Sequence, residues 1–285
     1  MTATTIAWPL VEGLYRSPAL TGLGLVAAFT PASFGSMAGS VFPQAEQREN
    51  RDMVARRLGF PTVVRVKQVH GNRVVYAPFV RAEPVATPAR APLPPSSPAG
   101  PQAEGRWPEA DALWTDRAGV LLGVSAADCV PVLIADPDGR IGAAHAGWRG
   151  TSERVAQVLV RALVAGGTAP ARLVAALGPA IGPCCYTIDE ERAALIRQRL
   201  GSGPWLIRVT PSGGAAPQSG ARGREAAWSF DLWAANATQL RDAGVGTIEV
   251  AGMCTRCGGA DLWSFRSRHE RGPQGTAVAV LGRPV

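Results

Sequence analysis

The sequence predicts an α/β fold, because short β-rich runs alternate with a few amphipathic helices along its 285 residues. This length is enough for one large domain, and it does not require a second one. Two segments poor in core residues interrupt the pattern, and no internal repeat separates the strands on either side of them. We therefore expect a single domain over residues 1–285, with the strands sharing one core.

Nine runs have the apolar, β-branched composition of strands. They cover residues 25–29, 62–69, 73–76, 120–124, 132–135, 141–144, 172–177, 247–250 and 276–281. Four helices are predicted at 50–58, 151–164, 189–200 and 231–243. The second is the clearest of them, because it opens on Thr and Ser as possible caps and ends at two glycines.

Two segments are predicted to be excursions from this core. Residues 77–110 hold nine of the 24 prolines and almost no large apolar residue, so we expect a flexible insertion. Residues 210–227 are rich in Gly, Ala and Ser, so we expect a mobile loop there.

The charge and hydropathy patterns exclude several classes of protein. The net charge is +7, but Lys67 is the only lysine and the arginines are scattered, so we expect no nucleic-acid partner. No apolar run has the length of a membrane span, and the first residues lack the features of a secretory signal. We therefore expect a cytoplasmic protein without a membrane partner.

Five cysteines without an export signal are expected to be reduced thiols. Cys254 and Cys257 form a CxxC pair. The other two paired thiols, Cys184 and Cys185, are adjacent and so poorly spaced to complete a structural zinc site. We expect these four to be small buried side chains, with a second zinc site as the less favoured alternative.

One thiol and two imidazoles stand at the polar ends of short apolar runs. Cys129 and His145 are separated by a strand, a tight turn around residues 136–139 and a second strand, so the two side chains can meet in space. His70 also ends an apolar run and is the natural third member. Such a set can form either a metal site or a Cys/His dyad.

Six ordered motifs make the chain resemble the laccase-domain-containing family, whose members are variously described as polyphenol oxidase, purine nucleoside phosphorylase and peptidoglycan editing factor. The motifs are KQVHG (67–71), ADCVPVLIAD (127–136), AAHAGWRG (143–150), GPAIGPCCY (178–186), CT (254–255) and WSFR (263–266). The resemblance runs in order from about residue 50 to the C-terminus.

The resemblance implies an α/β sandwich of mixed sheets, with helices packed on the sheets. It also implies a single zinc held by His70, Cys129 and His145, with copper as a possible substitute. The implied activity is phosphorolysis of adenosine, inosine and methylthioadenosine, with adenosine deamination as a second activity. We thus expect a catalytic domain that binds a purine nucleoside and phosphate, as a monomer or weak homodimer.

Three N/S ligands would leave one coordination position open, as in catalytic zinc sites. Arg149 lies where a strand turns into a helix expected near residue 151, so it is our first candidate for binding phosphate. Arg51 is a weaker candidate. Asp128 adjoins Cys129 and is a candidate for proton transfer, for orienting a ligand or for capping a turn.

Asp111 matches an acidic position of the family, and Gln68 is next to His70, so both are candidates for binding substrate. Trp148 and Tyr186 could stack on a purine, although core packing is the simpler expectation. His269 is expected to be exposed to solvent.

The chain departs from the family pattern at two positions. Thr187 follows the tyrosine where the family usually has an acidic residue, and Thr276 stands where the family has a final arginine. If that arginine contacts phosphate, another must substitute for it, with Arg266, Arg268 and Arg271 as the candidates.

Other functions remain open from the residues alone. Cys129 as a nucleophile and His145 as a base would form a cysteine hydrolase, which would suit an amide-cleaving role on peptidoglycan precursors. A multicopper polyphenol oxidase needs more histidines than the three present. A non-enzymatic binding protein is disfavoured by the convergence of His, Cys and Arg side chains.

Overall fold

The computed structural model of the chain describes residues 3–77, 107–209, 228–259 and 261–285. Its strands are β1 (Thr4–Thr5), β2 (Leu10–Val11), β3 (Leu14–Arg16), β4 (Val26–Phe29), β5 (Val63–Val64), β6 (Val74–Tyr76), β7 (Ala112–Thr115), β8 (Leu121–Ala126), β9 (Val130–Ala135), β10 (Ile141–Ala146), β11 (Val174–Leu177), β12 (Thr187–Ile188), β13 (Leu206–Arg208), β14 (Trp228–Phe230), β15 (Thr247–Val250) and β16 (Ala277–Gly282). Its α-helices are α1 (Pro18–Thr21), α2 (Gln44–Arg57), α3 (Trp148–Ser152), α4 (Val155–Ala165), α5 (Glu190–Leu200), α6 (Leu232–Asp242) and α7 (Arg268–Arg271), with short 3-10 helices at Ala32–Phe34, Pro170–Arg172 and Phe265–Ser267.

The strands form three sheets, of which the two large ones combine parallel and antiparallel pairs, and this confirms the predicted mixed α/β fold. The largest has seven strands in the order β1-β15-β11-β9-β10-β7-β6, and a second has six in the order β2-β3-β4-β16-β8-β5. A small third sheet has the order β12-β14-β13. The connections between distant strands bring segments far apart in sequence to one end of the sheets.

The two large sheets pack face to face, and the alternation of side chains along each strand shows how. On β9, Val132 and Ile134 pack with the apolar faces of α4 and α6, whereas Leu133 and Ala135 belong to the cluster between the sheets. On β16 the alternate positions pack between the sheets and against α2. The result is a sandwich with helices on both outer faces.

The predicted strand, turn and strand around Asp136 are confirmed as β9 and β10. The two strands pair antiparallel, and the turn is closed by the amide of Gly139, which donates to the carbonyl of Asp136. At the open end of this pair His145 lies opposite Pro131, two residues after Cys129. The register therefore places the thiol and the imidazole beside each other.

The predicted helix over 151–164 is wrong in its bounds, because α3 begins at Trp148 and a break separates it from α4. Arg154 occupies the left-handed region with φ 62° and interrupts the helix. Two side chains of α6 bind the turn before the break: Asn236 donates to the Thr151 hydroxyl and Gln239 to the Thr151 carbonyl. Tertiary hydrogen bonds thus override the local helical preference.

The helices α5 and α6 begin one residue later than predicted, because Asp189 and Asp231 are N-caps whose side chains accept from backbone amides. The helix predicted at 50–58 begins earlier, at Gln44. Of the strand predicted at 62–69, only Val63–Val64 forms. The sequence prediction also missed β7, a strand inside the largest sheet.

The expected insertion at 77–110 and the expected loop at 210–227 lie mostly or wholly outside the described residues. The described ends of the first segment are fixed: Ala77 donates to Trp114, and Ala110 donates to Lys67. Within the described ranges, no helix has both the length and the apolar character needed to cross a bilayer.

Candidate active site

Three potential metal ligands meet at the open end of β9 and β10, as the sequence predicted. The donor atoms of His70, Cys129 and His145 lie within 4.8 Å of one another, and we call this set the mixed cluster. The two imidazole rings meet edge to face with centroids 4.8 Å apart. Cys129 comes from the loop before β9, His145 from β10, and His70 from the loop after β5.

The backbone at this site leaves room only for a glycine opposite Cys129. A Cβ atom at Gly147 would lie 2.8 Å from the Cys129 sulfur and 3.3 Å from Cδ2 of His70. Contacts under 3.0 Å require something to shift, so a side chain here would displace the thiol. Gly147 therefore keeps the space in which the donors converge.

Asp111 positions two residues of the mixed cluster. Its carboxylate accepts hydrogen bonds from the amides of Val69, His70 and Gly71 at 2.7–3.1 Å, and it contacts Nδ1 of His145 at 2.9 Å. Burial opposes ionisation of Asp111, but the hydrogen bonds from His145 and the amides lower its pKa below the usual range. With Nδ1 of His145 engaged, Nε2 is the nitrogen free to bind a metal.

The protonation of the cluster favours an anionic sulfur. Burial raises the pKa of Cys129, but the charge of His145 and hydrogen bonds from both histidines outweigh it and lower the pKa to about 7. Burial disfavours the charged form of His145, whereas the Cys129 thiolate and Asp111 raise its pKa to about 9. A polarised thiolate with two imidazoles is the donor set that a divalent transition metal prefers.

The mixed cluster opens into a cavity of about 700 Å³, which is the size of small-molecule sites. Its walls carry the mixed cluster, three further aromatic rings and several cations. The lining includes Arg65, Lys67, Gln68, Ser125, Asp128, Trp148, Arg149, Ile181, Tyr186, Arg192, Phe265, Arg266 and Thr276. A polar solute could contact the cluster and the cations together.

Arginine side chains cover the aromatic rings of this cavity. Arg149 and Arg192 both lie over Trp148, with guanidinium carbons 5.2 and 5.1 Å from the ring centroid. Arg266 lies over Tyr186 at 4.8 Å. These contacts hold three positive charges at the cavity wall, where they can bind an anion.

Asp128, the residue before Cys129, forms hydrogen bonds with three segments that are distant from it in sequence. Its carboxylate accepts from the Thr255 hydroxyl at 2.7 Å and from the Arg266 amide at 2.8 Å, and its carbonyl accepts from Ile181. The residue adopts a φ of 88°, in the left-handed region that a non-glycine residue rarely occupies. These contacts are those of a residue that fixes the loop carrying Cys129.

Gln68 and Arg51 lie close to the cavity but are engaged with backbone. The Gln68 side-chain amide both donates to the carbonyl of Ser125 and accepts from its amide, at 2.8 and 2.7 Å. Arg51 is buried and donates to the Met37 carbonyl, and burial together with the nearby Arg65 lowers its pKa to about 10. Arg51 does not line the cavity.

The positions that depart from the family pattern fall near the same cavity. Thr276 lines it and donates to the Ala38 carbonyl, and Arg266, one of the expected substitutes for the missing arginine, donates to the Thr187 carbonyl. Arg268 instead donates to Phe265, and Arg271 donates to the carbonyls of Arg256 and Gly259. His269 is exposed, as expected.

Sequence reasoning missed two cavity cations, Arg65 and Arg192. Arg65 follows β5, and Arg192 lies in the first turn of α5, far along the chain from every motif considered for phosphate. Nothing in their local sequence distinguishes them from surface arginines. Only the packing of α5 against α3 brings Arg192 to Trp148.

The fold and the site define an α/β sandwich protein with a single His₂Cys cluster at one end of a cavity. The chain belongs to the family described as multi-copper polyphenol oxidoreductase laccase, which it matches over residues 41–283. Among the described residues this is the one cluster that contains histidine, and its three donors suit one metal ion rather than several coppers.

Two kinds of relatives resemble the chain. A protein of Deinococcus radiodurans named purine nucleoside phosphorylase is 38% identical over 239 residues, covering 83% of this chain and 77% of the relative. A protein from an unknown prokaryotic organism named adenosine deaminase RL5 is 31% identical over 159 residues, covering 55% of this chain and 56% of the relative.

Solved structures share the fold over nearly the whole chain. YlmD from Geobacillus stearothermophilus has a TM-score of 0.72 and 30% identity, covering 98% of this chain and 99% of YlmD. The YfiH protein of Bacillus licheniformis has a TM-score of 0.75 and 26% identity, covering 97% of this chain and 98% of YfiH.

Proposed function

We propose that the protein is a zinc-dependent purine nucleoside phosphorylase, which converts a purine nucleoside and phosphate into the free base and ribose 1-phosphate. The observation that carries the proposal is a His₂Cys cluster facing a cavity of about 700 Å³ whose walls also carry arginines. The relative from Deinococcus radiodurans, named for this activity, supports it.

His70, Cys129 and His145 would hold the zinc, with Nε2 of His145 as its donor because Asp111 occupies Nδ1. When bound in such an open site, zinc acts as a Lewis acid and polarises an oxygen of a ligand. We favour zinc because thiolate and imidazole are among its usual ligands, and three of them leave one position of a tetrahedral site open, as in catalytic zinc sites. Asp111 then acts as a positioning residue rather than as a substrate ligand.

Phosphate would bind to the cations of the cavity wall. Arg149 and Arg192 both contact the Trp148 ring and both line the cavity, and the Arg266 guanidinium adds a third charge over Tyr186. A phosphate dianion is bound best by several guanidinium groups at once. We propose Arg149, Arg192 and Arg266 as the phosphate ligands.

In the reaction a phosphate oxygen forms a bond to C1′ of the ribose while the bond from C1′ to N9 of the purine breaks. The base leaves with the electron pair of that bond and takes up a proton. The chain contributes chiefly by orientation, since held reactants avoid the entropic cost of meeting. Gln68 and Asp128, both engaged with backbone, would fix the loops that hold the reactants.

Product analysis tests the proposal. Zinc-loaded protein, with its metal content measured, is incubated with adenosine in the presence and absence of inorganic phosphate, and the products are separated by chromatography. We expect adenine and an equal amount of ribose 1-phosphate only in the tube with phosphate. Zinc-loaded protein that forms no adenine with phosphate would overturn the proposal.

Arg149→Ala identifies the phosphate site. We expect KM for phosphate to rise about tenfold or more, because a charge-assisted hydrogen bond contributes about 1.5–3 kcal/mol. Arg161→Ala is the control, because Arg161 is exposed on α4 and does not line the cavity. If Arg149→Ala reduces phosphorolysis and deamination equally, Arg149 is not a dedicated phosphate ligand.

Adenosine deamination is a second proposed activity, supported by the relative named adenosine deaminase RL5. Inosine formed with and without phosphate would identify it, because water rather than phosphate is then the attacking group. The relatives do not favour a cysteine hydrolase of peptidoglycan precursors or a copper polyphenol oxidase.

We also propose that the chain is one catalytic domain acting in the cytoplasm on small molecules, as a monomer or weak homodimer, without a nucleic-acid partner. The support for a small-molecule partner rather than a nucleic acid is that four arginines line one cavity of about 700 Å³. Light scattering of the purified protein at several concentrations checks the oligomeric state.

A further inference from the structure

Four cysteines converge at a second place in the molecule, which corrects the expectation that they are small buried side chains. The sulfur atoms of Cys184, Cys185, Cys254 and Cys257 all lie within 4.8 Å of one another, and we call this set the thiol cluster. Only Cys254 is buried, while Cys184 and Cys257 are exposed. Together the mixed cluster and the thiol cluster contain all five cysteines of the chain.

The separations between these sulfurs match those around a tetrahedral ion. Four sulfurs at about 2.3 Å from a zinc ion lie roughly 3.8 Å from one another. The sulfurs of Cys184 and Cys257 are 3.5 Å apart, and no two sulfurs of the cluster are more than 4.8 Å apart. Movements of a few tenths of an ångström to about one ångström would therefore close the four donors onto one ion.

The four sulfurs lie close together because they come from two neighbouring turns. Cys184 and Cys185 lie in a helical turn in which the amides of Cys185 and Tyr186 donate to the Gly182 carbonyl. In such a turn adjacent side chains point about 100° apart, whereas in a strand they point to opposite faces. Neighbouring cysteines in the turn can therefore approach the same metal ion. Adjacent positions in the sequence therefore do not prevent Cys184 and Cys185 from approaching the same point.

The second turn closes when the Gly258 amide donates to the Cys254 carbonyl at 2.7 Å. A Cβ at Gly258 would lie 2.4 Å from that carbonyl oxygen, so the residue after Cys257 must be small. The sequence Cys-x-x-Cys-Gly thus forms a tight loop that presents both sulfurs on one side.

Backbone amides surround the most buried sulfur. The Gly182 amide donates to Sγ of Cys254 at 3.3 Å, and the amides of Arg256 and Cys257 also direct hydrogen bonds to it. Several N–H donors aimed at one sulfur stabilise a thiolate, the form in which cysteine binds a metal.

We propose that Cys184, Cys185, Cys254 and Cys257 form a structural zinc site, distinct from the mixed cluster. Four thiolates complete a tetrahedral coordination shell and leave no position for a substrate, which is typical of structural zinc. None of the four lines the cavity of the mixed cluster.

The site would stabilise two segments that adjoin the cavity. The two turns already pair backbone to backbone, since Ala180 forms a bridge with Cys254 and the Thr255 amide donates to the Ala180 carbonyl. Next to them, Thr255 and Ile181 hold Asp128. A metal ion joining the turns would therefore hold in place the loop that carries Cys129.

Metal analysis of the purified, reduced protein tests the proposal. We expect two zinc ions per chain in the wild type and one in each of two variants, Cys129→Ala and Cys257→Ser. Cys257→Ser should also lower the Tm by several degrees, because a structural ion contributes to folding stability. The reaction of the exposed cysteines with a thiol reagent should be slow with zinc and fast after chelation.

Cobalt substitution keeps the test decisive if Cys257→Ser fails to fold. The Cys129→Ala protein loaded with Co²⁺ should show the intense charge-transfer and ligand-field absorption of a four-thiolate tetrahedral site. A Cys129→Ala protein that binds neither zinc nor cobalt would overturn the proposal. So would a disulfide between Cys184 and Cys257, detected by mass spectrometry in protein purified under reducing conditions.

Discussion

The mixed cluster and the thiol cluster both bring cysteine sulfur within 4.8 Å of other donors, yet their surroundings differ. The mixed cluster lies at the end of two paired strands and faces a cavity of about 700 Å³. The thiol cluster lies between two turns and lines no part of that cavity. The thiol cluster has four donors, whereas the mixed cluster has three.

The source of support also differs between the two. In the mixed cluster the buried carboxylate of Asp111 orients the His145 imidazole and the loop that carries His70. In the thiol cluster, backbone amides surround the Cys254 sulfur instead. A carboxylate behind a histidine increases the basicity of the ligand, which suits a reactive centre. Neutral amides stabilise a thiolate without adding charge. The donors alone do not separate the two roles, but their support and their access to a cavity do.

The largest expected effect comes from removing the thiol of the mixed cluster. Cys129→Ala should lower kcat/KM for phosphorolysis by a factor of about 100 or more, because metal catalysis supplies several kcal/mol. The thiol cluster should keep its zinc, and the far-ultraviolet circular dichroism should be unchanged. A variant that kept both full zinc content and full activity would show that Cys129 is not a ligand.

A smaller effect is expected from the carboxylate that supports the mixed cluster. Asp111→Asn places an NH₂ group against amide or imidazole N–H donors in either orientation, so one pair of hydrogen bonds is lost. We expect zinc affinity at the mixed cluster, measured by competition with a chelator, to fall about 10–100-fold.

Asp116→Asn is the matched control for Asp111→Asn. The two aspartates directly precede and follow β7, but Asp116 is exposed and accepts from the Tyr76 hydroxyl, away from the mixed cluster. Zinc affinity should not change in this control. Equal losses in the two variants would mean that Asp111 acts through the stability of β7 and not through the ligands.

The smallest expected effect comes from the glycine opposite the thiol. In Gly147→Ala the new methyl group would lie 2.8 Å from the Cys129 sulfur, and the ligand must move by a few tenths of an ångström. We expect a loss of about tenfold in kcat/KM, since small displacements of reacting groups are costly.

Gly71→Ala provides the comparison for Gly147→Ala. A Cβ at Gly71 would meet Asp111 Oδ2 at 3.7 Å, an ordinary contact, although the residue adjoins the ligand His70. Steady-state kinetics of the two variants should therefore differ. Wild-type activity in Gly147→Ala would show that the cluster tolerates a wider spacing than the structure has.

The mixed cluster could be predicted because each ligand ends a short apolar run, and strand pairing brings such ends together. Asp111 was expected to bind substrate because it matches an acidic position of the family, whereas its contacts with His145 and the His70 loop depend on β7, a strand that the prediction missed. Arg192 and the thiol cluster depend on how distant turns and helices pack, which local periodicity does not record. The helix over 151–164 was wrong for the same reason, since side chains of α6 bind the turn at its break.

Asp128 has a consequence for the order in which the protein becomes functional. Its carboxylate partners, Thr255 and Arg266, follow it by 127 and 138 residues. Such distant contacts form late in folding, because a long stretch of chain must be closed first. A nascent chain that has not yet emerged through Arg266 therefore cannot complete the contacts of the loop that carries Cys129, so the site is assembled only when the chain as far as Arg266 is available.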